Sequence, residues 1–255
     1  MNISGKFRSR TLAREWLTGT FINLGSSVTA EIAGNAGYDW LLLDHEHGPG
    51  GEETLLHQLQ ATAATPAVPL VRIAANETVR FKRVLDAGAH GVMVPYINTE
   101  AEARAAVSAL NYPPRGVRGV AKFNRGAGFG QTFEDYYLHA HEWLVLMAQV
   151  ETGEAVANIE AIAAVPGVDV LFVGPNDLTH NLGIRDQFDH PTFNDALQRV
   201  SAAAKKFGKA AGILVHHPAL VGKCRELGFT FVALGSDGGA VNAGLRQNLA
   251  ILQGK

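Results

Sequence analysis

Val145-Leu146-Met147-Ala148-Gln149-Val150-Glu151, and one helical stretch later Val170-Leu171-Phe172-Val173-Gly174-Pro175-Asn176-Asp177, hold the key to the architecture. Each opens as an unbroken apolar run of strand length. A strand with one wet face alternates apolar and polar residues, whereas a strand buried on both faces does not, and parallel sheets are buried on both faces. Working outward, similar runs at residues 20–24, 40–43, 70–73, 91–94, 211–215 and 231–234 bring the strands to eight. Helical patterns at 28–36, 53–63, 78–87, 99–110, 155–165 and 193–207 alternate with them. Thr99 and Glu102 have the spacing of a capping box. Gly37, Gly88, Gly208 and Gly228 each close a helical pattern, where a left-handed terminus suits glycine. Alternating β and α leaves an open doubly wound sheet or a closed barrel. Eight repeats in ~250 residues is the arithmetic of a (β/α)₈ TIM barrel, so the expected fold class is α/β of that type.

The 255 residues are 47% hydrophobic, enough for one large core, and a single domain over residues 1–255 is expected. The formal net charge is −2 with no basic patch, so nucleic acid is not an expected partner. One cysteine, Cys224, can form neither an internal disulfide nor a cysteine zinc site, as suits a reducing cytoplasm. Residues 1–10 lack the apolar stretch of a signal peptide, and no run reaches membrane-spanning length. Residues 111–142 are too long for a simple connection and carry Pro113, Pro114 and five glycines, which predicts a functional loop or lid.

A barrel of this kind carries its active site at the C-terminal ends of its strands. The polar residues there are Asp44, His45, Glu46 and His47 after the second strand, Arg72 after the third, Gln149 and Glu151 on the fifth, Asn176 and Asp177 after the sixth, and Ser236 and Asp237 after the eighth. Met147, Gln149 and Glu151 share one face by the period of two, and that face points into the barrel mouth. Glu151 and Asp177, on adjacent strands, suit a hard divalent ion such as Mg²⁺ or Mn²⁺. Both carboxylates could instead cap the following helices, and for Asp177 alone the two readings are even; together, flanking Gln149, they favour metal. Arg72 suits a bidentate grip on a carboxylate, whether of a substrate or of Asp44 or Glu46. His47 is a candidate general base, which Asp44 orients if the chain turns between them. His45-x-His47 also admits a metal-dependent hydrolase, but the fifth and sixth strands supply no further histidine. His216 and His217 end the seventh strand; His90, His139, His141, His180 and His190 read as surface or loop residues. None of the eight lysines lies within a strand or just after one, which argues against Schiff-base chemistry. Gly235–Gly239 permits either phosphate binding or a simple tight turn.

The motifs Leu43-Asp44-His45-Glu46-His47-Gly48, Val71-Arg72, Lys82-Arg83-Val84-Leu85-Asp86-Ala87-Gly88, Val94-Pro95-Tyr96 and Tyr112-Pro113-Pro114-Arg115-Gly116-Val117-Arg118-Gly119 stand in a specific order. Gln149-Val150-Glu151-Thr152, Phe172 to Leu178 and Gly235-Ser236-Asp237 complete it. In that order the chain, from about Thr20 to Asn248, resembles the HpcH/HpaI family of class II pyruvate aldolases. The resemblance implies a barrel of the phosphoenolpyruvate/pyruvate-domain type and a divalent cofactor, Mg²⁺, Mn²⁺ or Co²⁺, on Glu151 and Asp177. Its implied partners are a small 2-oxo acid and an aldehyde. Gln149, Asn176 and Asp177 would contact the oxo acid, Arg72 would stabilise developing charge, and His47 would be the acid–base residue beside Asp44. Asp86 would raise the basicity of His47, a role that implication alone supplies. A homo-oligomer, hexameric in the family, is also implied. His45 stands where the family often has glycine, and Asn176 where it often has serine or alanine.

Overall fold

Eight parallel strands, hydrogen-bonded in chain order with the last returning to the first, close a barrel in the computed structural model, which describes residues 5–254. The chain runs α1 (Lys6–Leu12), β1 (Leu17–Ile22), α2 (Ser27–Asn35), β2 (Trp40–Asp44), α3 (Glu52–Thr62), β3 (Val68–Arg72), α4 (Thr78–Asp86), β4 (Gly91–Val94) and α5 (Glu100–Leu110). After a 3₁₀ turn at Gly128–Gly130 come α6 (Phe133–Trp143), β5 (Val145–Val150), α7 (Gly153–Ala157), α8 (Ile159–Ala163), β6 (Val170–Val173) and α9 (Pro175–Asn181). It ends with α10 (Pro191–Lys206), β7 (Ala210–Val215), α11 (Ala219–Glu226), β8 (Phe231–Ser236) and α12 (Asp237–Leu252). No helix among the described residues is long and apolar enough to cross a membrane.

The strands divide the core by alternation. Leu17, Phe21, Trp40, Leu42, Leu70, Met93, Met147, Phe172 and Phe231 fill the barrel, while Ile22, Leu41, Leu43, Val71, Val92, Leu146, Val150 and Val173 face the helices. Trp40 stacks on Phe231 with centroids 4.3 Å apart and meets Phe172 edge-on at 6.3 Å. Room for that layer comes from glycine. A Cβ on Gly19 would enter the Trp40 indole, and one on Gly212 would lie 2.5 Å from the Phe172 ring. Helix α1 plugs the amino-terminal end: Phe7 packs edge-on against Phe231, and Arg8 grips buried Asp169 with both Nε and Nη2. The upper interior is polar, because Asp44, Arg72, Gln149 and Glu151 continue the inward face.

The structure shifts some expected bounds. The first strand starts at Leu17 rather than residue 20, since Gly19 interrupts the apolar pattern only to admit Trp40. The helical stretch at 155–165 is two short helices, parted at Asn158, whose amide donates to the Asn98 carbonyl at 2.9 Å. The Thr99 capping box is present, and Gly37, Gly88, Gly208 and Gly228 all have positive φ. Residues 111–142 do not form a lid over this chain's own cleft. They wrap the amino-terminal end of the barrel, where the helices finish. Gly126 N–H donates to Asp86 O, and Arg125 donates to Ala87 O and Leu59 O at the ends of α4 and α3. Arg118, fully buried over the Tyr112 and Tyr136 rings, anchors the segment. Its length therefore serves a fastening.

Helix α12 departs from the pattern of its neighbours. Only Asp237 of its sixteen residues is buried. Val241, Leu245, Leu249 and Leu252 form an exposed stripe, and Leu234 on the outward face of β8 and Val28 and Ile32 on α2 are exposed as well.

Candidate active site

At the carboxyl ends of the strands lies a cleft of about 590 Å³, lined in part by Asp44, His47, Arg72, Gln149, Asn176 and Asp177. The inward register of β2 and β3 pairs Asp44 with Arg72 across the sheet. Arg72 Nε and Nη2 donate to the two Asp44 oxygens at 3.0 and 2.7 Å, and Nη1 meets Glu46 at 2.9 Å. Both expected readings of Arg72 are thus compatible with its place: it has structural partners and it borders the cleft. Burial raises the Asp44 carboxyl, but the hydrogen bonds and charge of Arg72 outweigh that and leave it below the usual carboxylate range. Glu46, also drawn in, is held above its ordinary value, chiefly by burial and against the pull of Arg72.

The chain does turn after Asp44, whose Oδ1 accepts the backbone N–H groups of Glu46 at 3.1 Å and His47 at 3.3 Å. That turn presents the His47 imidazole outward: 70% of its side chain is exposed, with Glu46 the near carboxylate at 3.8 Å. Asp44 therefore orients the backbone of His47 while its carboxylate charge serves Arg72. His45 points away from the cleft and meets Gln58 Oε1 at 3.0 Å, which takes it out of a metal-binding His-x-His pair.

Glu151 is almost wholly buried. Gln149 Nε2 donates to its Oε1, and the backbone N–H of Tyr96 donates to its Oε2 at 3.2 Å. Burial pushes its carboxyl up to about 8, Glu46 and Asp177 add to the rise, and Arg72 and the Tyr96 amide work against it. Asp177 sits in the first turn of α9, so the expected helix-cap position is real too. Its Oδ1 lies 3.5 Å from the Tyr96 hydroxyl. The residues fit a divalent cation. The donors are all oxygen, the carboxylates crowd one another, and the nearby cation, Arg72, is already shared between Asp44 and Glu46. Gly174 keeps the place open, because a Cβ there would come within 2.5 Å of Glu151 Oε1. No group of three or more His, Cys, Asp or Glu side chains forms a cage among the described residues, so protein ligands would be few and coordination positions open.

Other expected residues fall elsewhere. Asp86 is not beside His47 within the chain. It ends α4 at the opposite end of the barrel, where its carboxylate meets buried Arg118 at 2.8 Å. Asp237 is a clamp, accepting from Asn23 N–H at 2.8 Å and Thr29 Oγ1 at 2.6 Å. The Gly235–Gly239 turn spends its own amides: Gly238 N–H donates to Asp237 and Gly239 N–H to Ser236, which favours the simple-turn reading over phosphate binding. His180 and His216 line the cleft, and His180 is exposed at its mouth, in keeping with its reading from sequence as a surface or loop residue. His90 is half-buried, with its Nε2 out of contact with solvent, and burial lowers it to about 4. Tyr96 is the residue that sequence reasoning missed. It follows a Val-Pro pair, and nothing in that pair announces its positive φ of 51° or its two carboxylate contacts.

Comparison with known proteins identifies the fold and the family. The family described as HpcH/HpaI aldolase/citrate lyase matches residues 17–243. A 5-keto-4-deoxy-D-glucarate aldolase of Salmonella paratyphi C is 41% identical over 238 residues, covering 93% of each chain. Among solved structures, an HpcH/HpaI aldolase/citrate lyase family protein from Burkholderia cenocepacia J2315 superposes with a TM-score of 0.94 at 38% identity, covering 98% of this chain and 100% of that one. An HpcH/HpaI aldolase from Desulfitobacterium hafniense DCB-2 gives 0.88 at 27% identity, covering 96% of both. With the barrel, the cleft and these likenesses in agreement, the chain belongs to the HpcH/HpaI aldolase/citrate lyase family of carbon–carbon lyases.

Proposed function

We propose that this protein is a metal-dependent class II aldolase that cleaves a 4-hydroxy-2-oxo acid reversibly to pyruvate and an aldehyde. The carrying observation is Glu151, a buried carboxyl facing Asp177 at the strand ends with no lysine lining the cleft. A divalent ion, Mg²⁺, Mn²⁺ or Co²⁺, held by Glu151 and Asp177 would supply Lewis-acid stabilisation of negative charge. Gln149 and Asn176 then contact the oxo acid along the cleft. Arg72, fixed by Asp44 and Glu46, presents a preorganised positive charge to the oxyanion that develops as the bond between carbons 3 and 4 breaks. His47, at the open mouth, takes the proton from the 4-hydroxyl group as the aldehyde leaves, and the enolate left behind takes up a proton at carbon 3 to give pyruvate; in the synthetic direction the steps reverse and His47 returns a proton to the new hydroxyl. The Salmonella relative is named for 5-keto-4-deoxy-D-glucarate, a sugar acid of this class. We therefore place sugar-acid substrates such as 2-dehydro-3-deoxyglucarate first and 4-hydroxy-2-oxoheptanedioate second, for an enzyme of the cytoplasm.

The working form is proposed to be a homo-oligomer, hexameric as the family resemblance implies. The exposed stripe on α12 matches the exposed Leu234, Val28 and Ile32, so a second copy of the chain is the natural cover for both. Asp86 lies at the far end of its own barrel, so any part it takes in proton transfer at His47 is exercised between chains.

The test is pyruvate release from a panel of 4-hydroxy-2-oxo acids, coupled to lactate dehydrogenase, with and without chelator. Pyruvate that forms only with divalent metal is the expected result. Metal-replete protein that releases no pyruvate from any member would overturn the aldolase reading and turn attention to other electrophiles.

A further inference from the structure

Tyr96 lies two residues beyond β4, in the left-handed region at φ 51°, where bulky side chains are rarely found. Such a conformation persists only where its surroundings over-determine it, and it clusters at functional sites. The surroundings here are specific. The next residue, Ile97, donates its N–H to Gln149 O at 3.3 Å, which stitches this loop to the end of β5. The Tyr96 N–H donates to Glu151 Oε2 at 3.2 Å. The phenol runs the other way, reaching Asp177 Oδ1 with its hydroxyl at 3.5 Å while the side chain stays half exposed at the mouth of the cleft. A single residue thus touches both carboxylates from opposite ends of its own structure, the amide on one and the hydroxyl on the other.

We infer that Tyr96 is a positioning residue for the Glu151–Asp177 pair. Its left-handed backbone sends the amide to Glu151, and its hydroxyl lies at the outer limit of hydrogen-bond reach of Asp177, placed to close on it. The inference rests on the proposed metal site. Glu151 has a second anchor in Gln149, whereas Asp177 has the Tyr96 hydroxyl as its one side-chain hydrogen bond among the described residues. Asp177 is therefore the ligand that Tyr96 controls more strongly. Donors that orient a ligating carboxylate are worth about tenfold or more in metal affinity.

The experiment titrates metal-stripped protein with Mn²⁺ without substrate, following free Mn²⁺ by electron paramagnetic resonance. Wild type, Tyr96→Phe and Glu151→Gln are compared. Tyr96→Phe keeps the amide and the ring and removes the hydroxyl alone. It is expected to bind Mn²⁺ roughly tenfold more weakly with an unchanged melting temperature, and to recover most of its kcat at saturating metal. Tyr96→Gly, which keeps the amide and relieves the backbone, should show the same loss of affinity in a chain no less stable. Mn²⁺ affinity of Tyr96→Phe within twofold of wild type overturns the role of Tyr96 and leaves the metal site standing. Wild type that binds no Mn²⁺ more tightly than Glu151→Gln overturns both.

Discussion

Glu151 shows how one burial sets several observables. Its carboxyl is raised to about 8 in the folded chain, chiefly by burial, whereas an exposed glutamate titrates near 4.3. Between those values the folded metal-free protein holds a proton that the unfolded chain has released, so folding takes one up. The stability this provides is complete below the unfolded value and is lost as pH rises through about 8. The melting temperature of metal-stripped protein should accordingly fall from pH 5 to 8, and Glu151→Gln should flatten that slope. A variant with the wild-type slope would mean that the carboxyl titrates normally. At the proposed site an incoming metal ion has to displace the same proton, so apparent Mn²⁺ affinity should climb by up to about tenfold per pH unit until the carboxyl ionises unaided; calorimetric titration across this range checks it. At this scale the sequence is legible where a strict period applies. The inward places of Gln149 and Glu151 follow from Met147 by counting in twos. Tyr96 was hidden because a positive φ on a non-glycine residue is decided by tertiary contacts; the place of Asp86, at the other end of its own barrel, was not legible because its link to His47 came from resemblance alone.

At the scale of the element, glycine decides what neighbouring strands can hold. Gly174 follows β6 with φ −92° and ψ 94°, a backbone that alanine adopts without strain. Yet a Cβ there would lie 2.5 Å from Glu151 Oε1 and 2.9 Å from Gln149 Nε2. Gly174→Ala should therefore fold with a melting temperature near that of wild type and lose about tenfold or more in metal affinity. Normal affinity would show that Glu151 has room to move. Gly19→Ala makes a contrasting case, since its Cβ meets the Trp40 indole deep in the barrel. It should destabilise by about 1–3 kcal/mol, the usual cost of overpacking, measured by denaturant unfolding. The same contact explains why β1 was legible only from residue 20: a glycine among apolar residues reads as a break until its partner across the sheet is known. Residues 111–142 read from sequence as a functional loop or lid, and the structure places them away from this chain's own cleft. Length and proline content mark an insertion, but only the burial of Arg118 over two tyrosines shows that it fastens the amino-terminal face.

For the whole molecule, eight apolar runs alternating with helices in ~250 residues favoured the closed barrel over the open doubly wound sheet, and the strand order confirms it. The orientation of α12 was beyond such counting. Val241, Leu245, Leu249 and Leu252 recur at helical spacing whether the helix covers its own barrel or another. Leu245→Asp with Leu249→Asp should shift the protein to smaller species in light scattering with little change in the monomer's circular dichroism; an unchanged mass would refute α12 as the contact. Helix α12 also begins inside the cleft wall. Ser236 lines the cleft and caps the helix by accepting from Gly239, while Asp237 ties its first turn to Asn23. In the proposed oligomer, a helix rooted in the cleft wall and covered along its exposed stripe by another copy would make assembly a condition of turnover. Specific activity should then fall on dilution and return on concentration, so that each molecule's work rate depends on how many others are present.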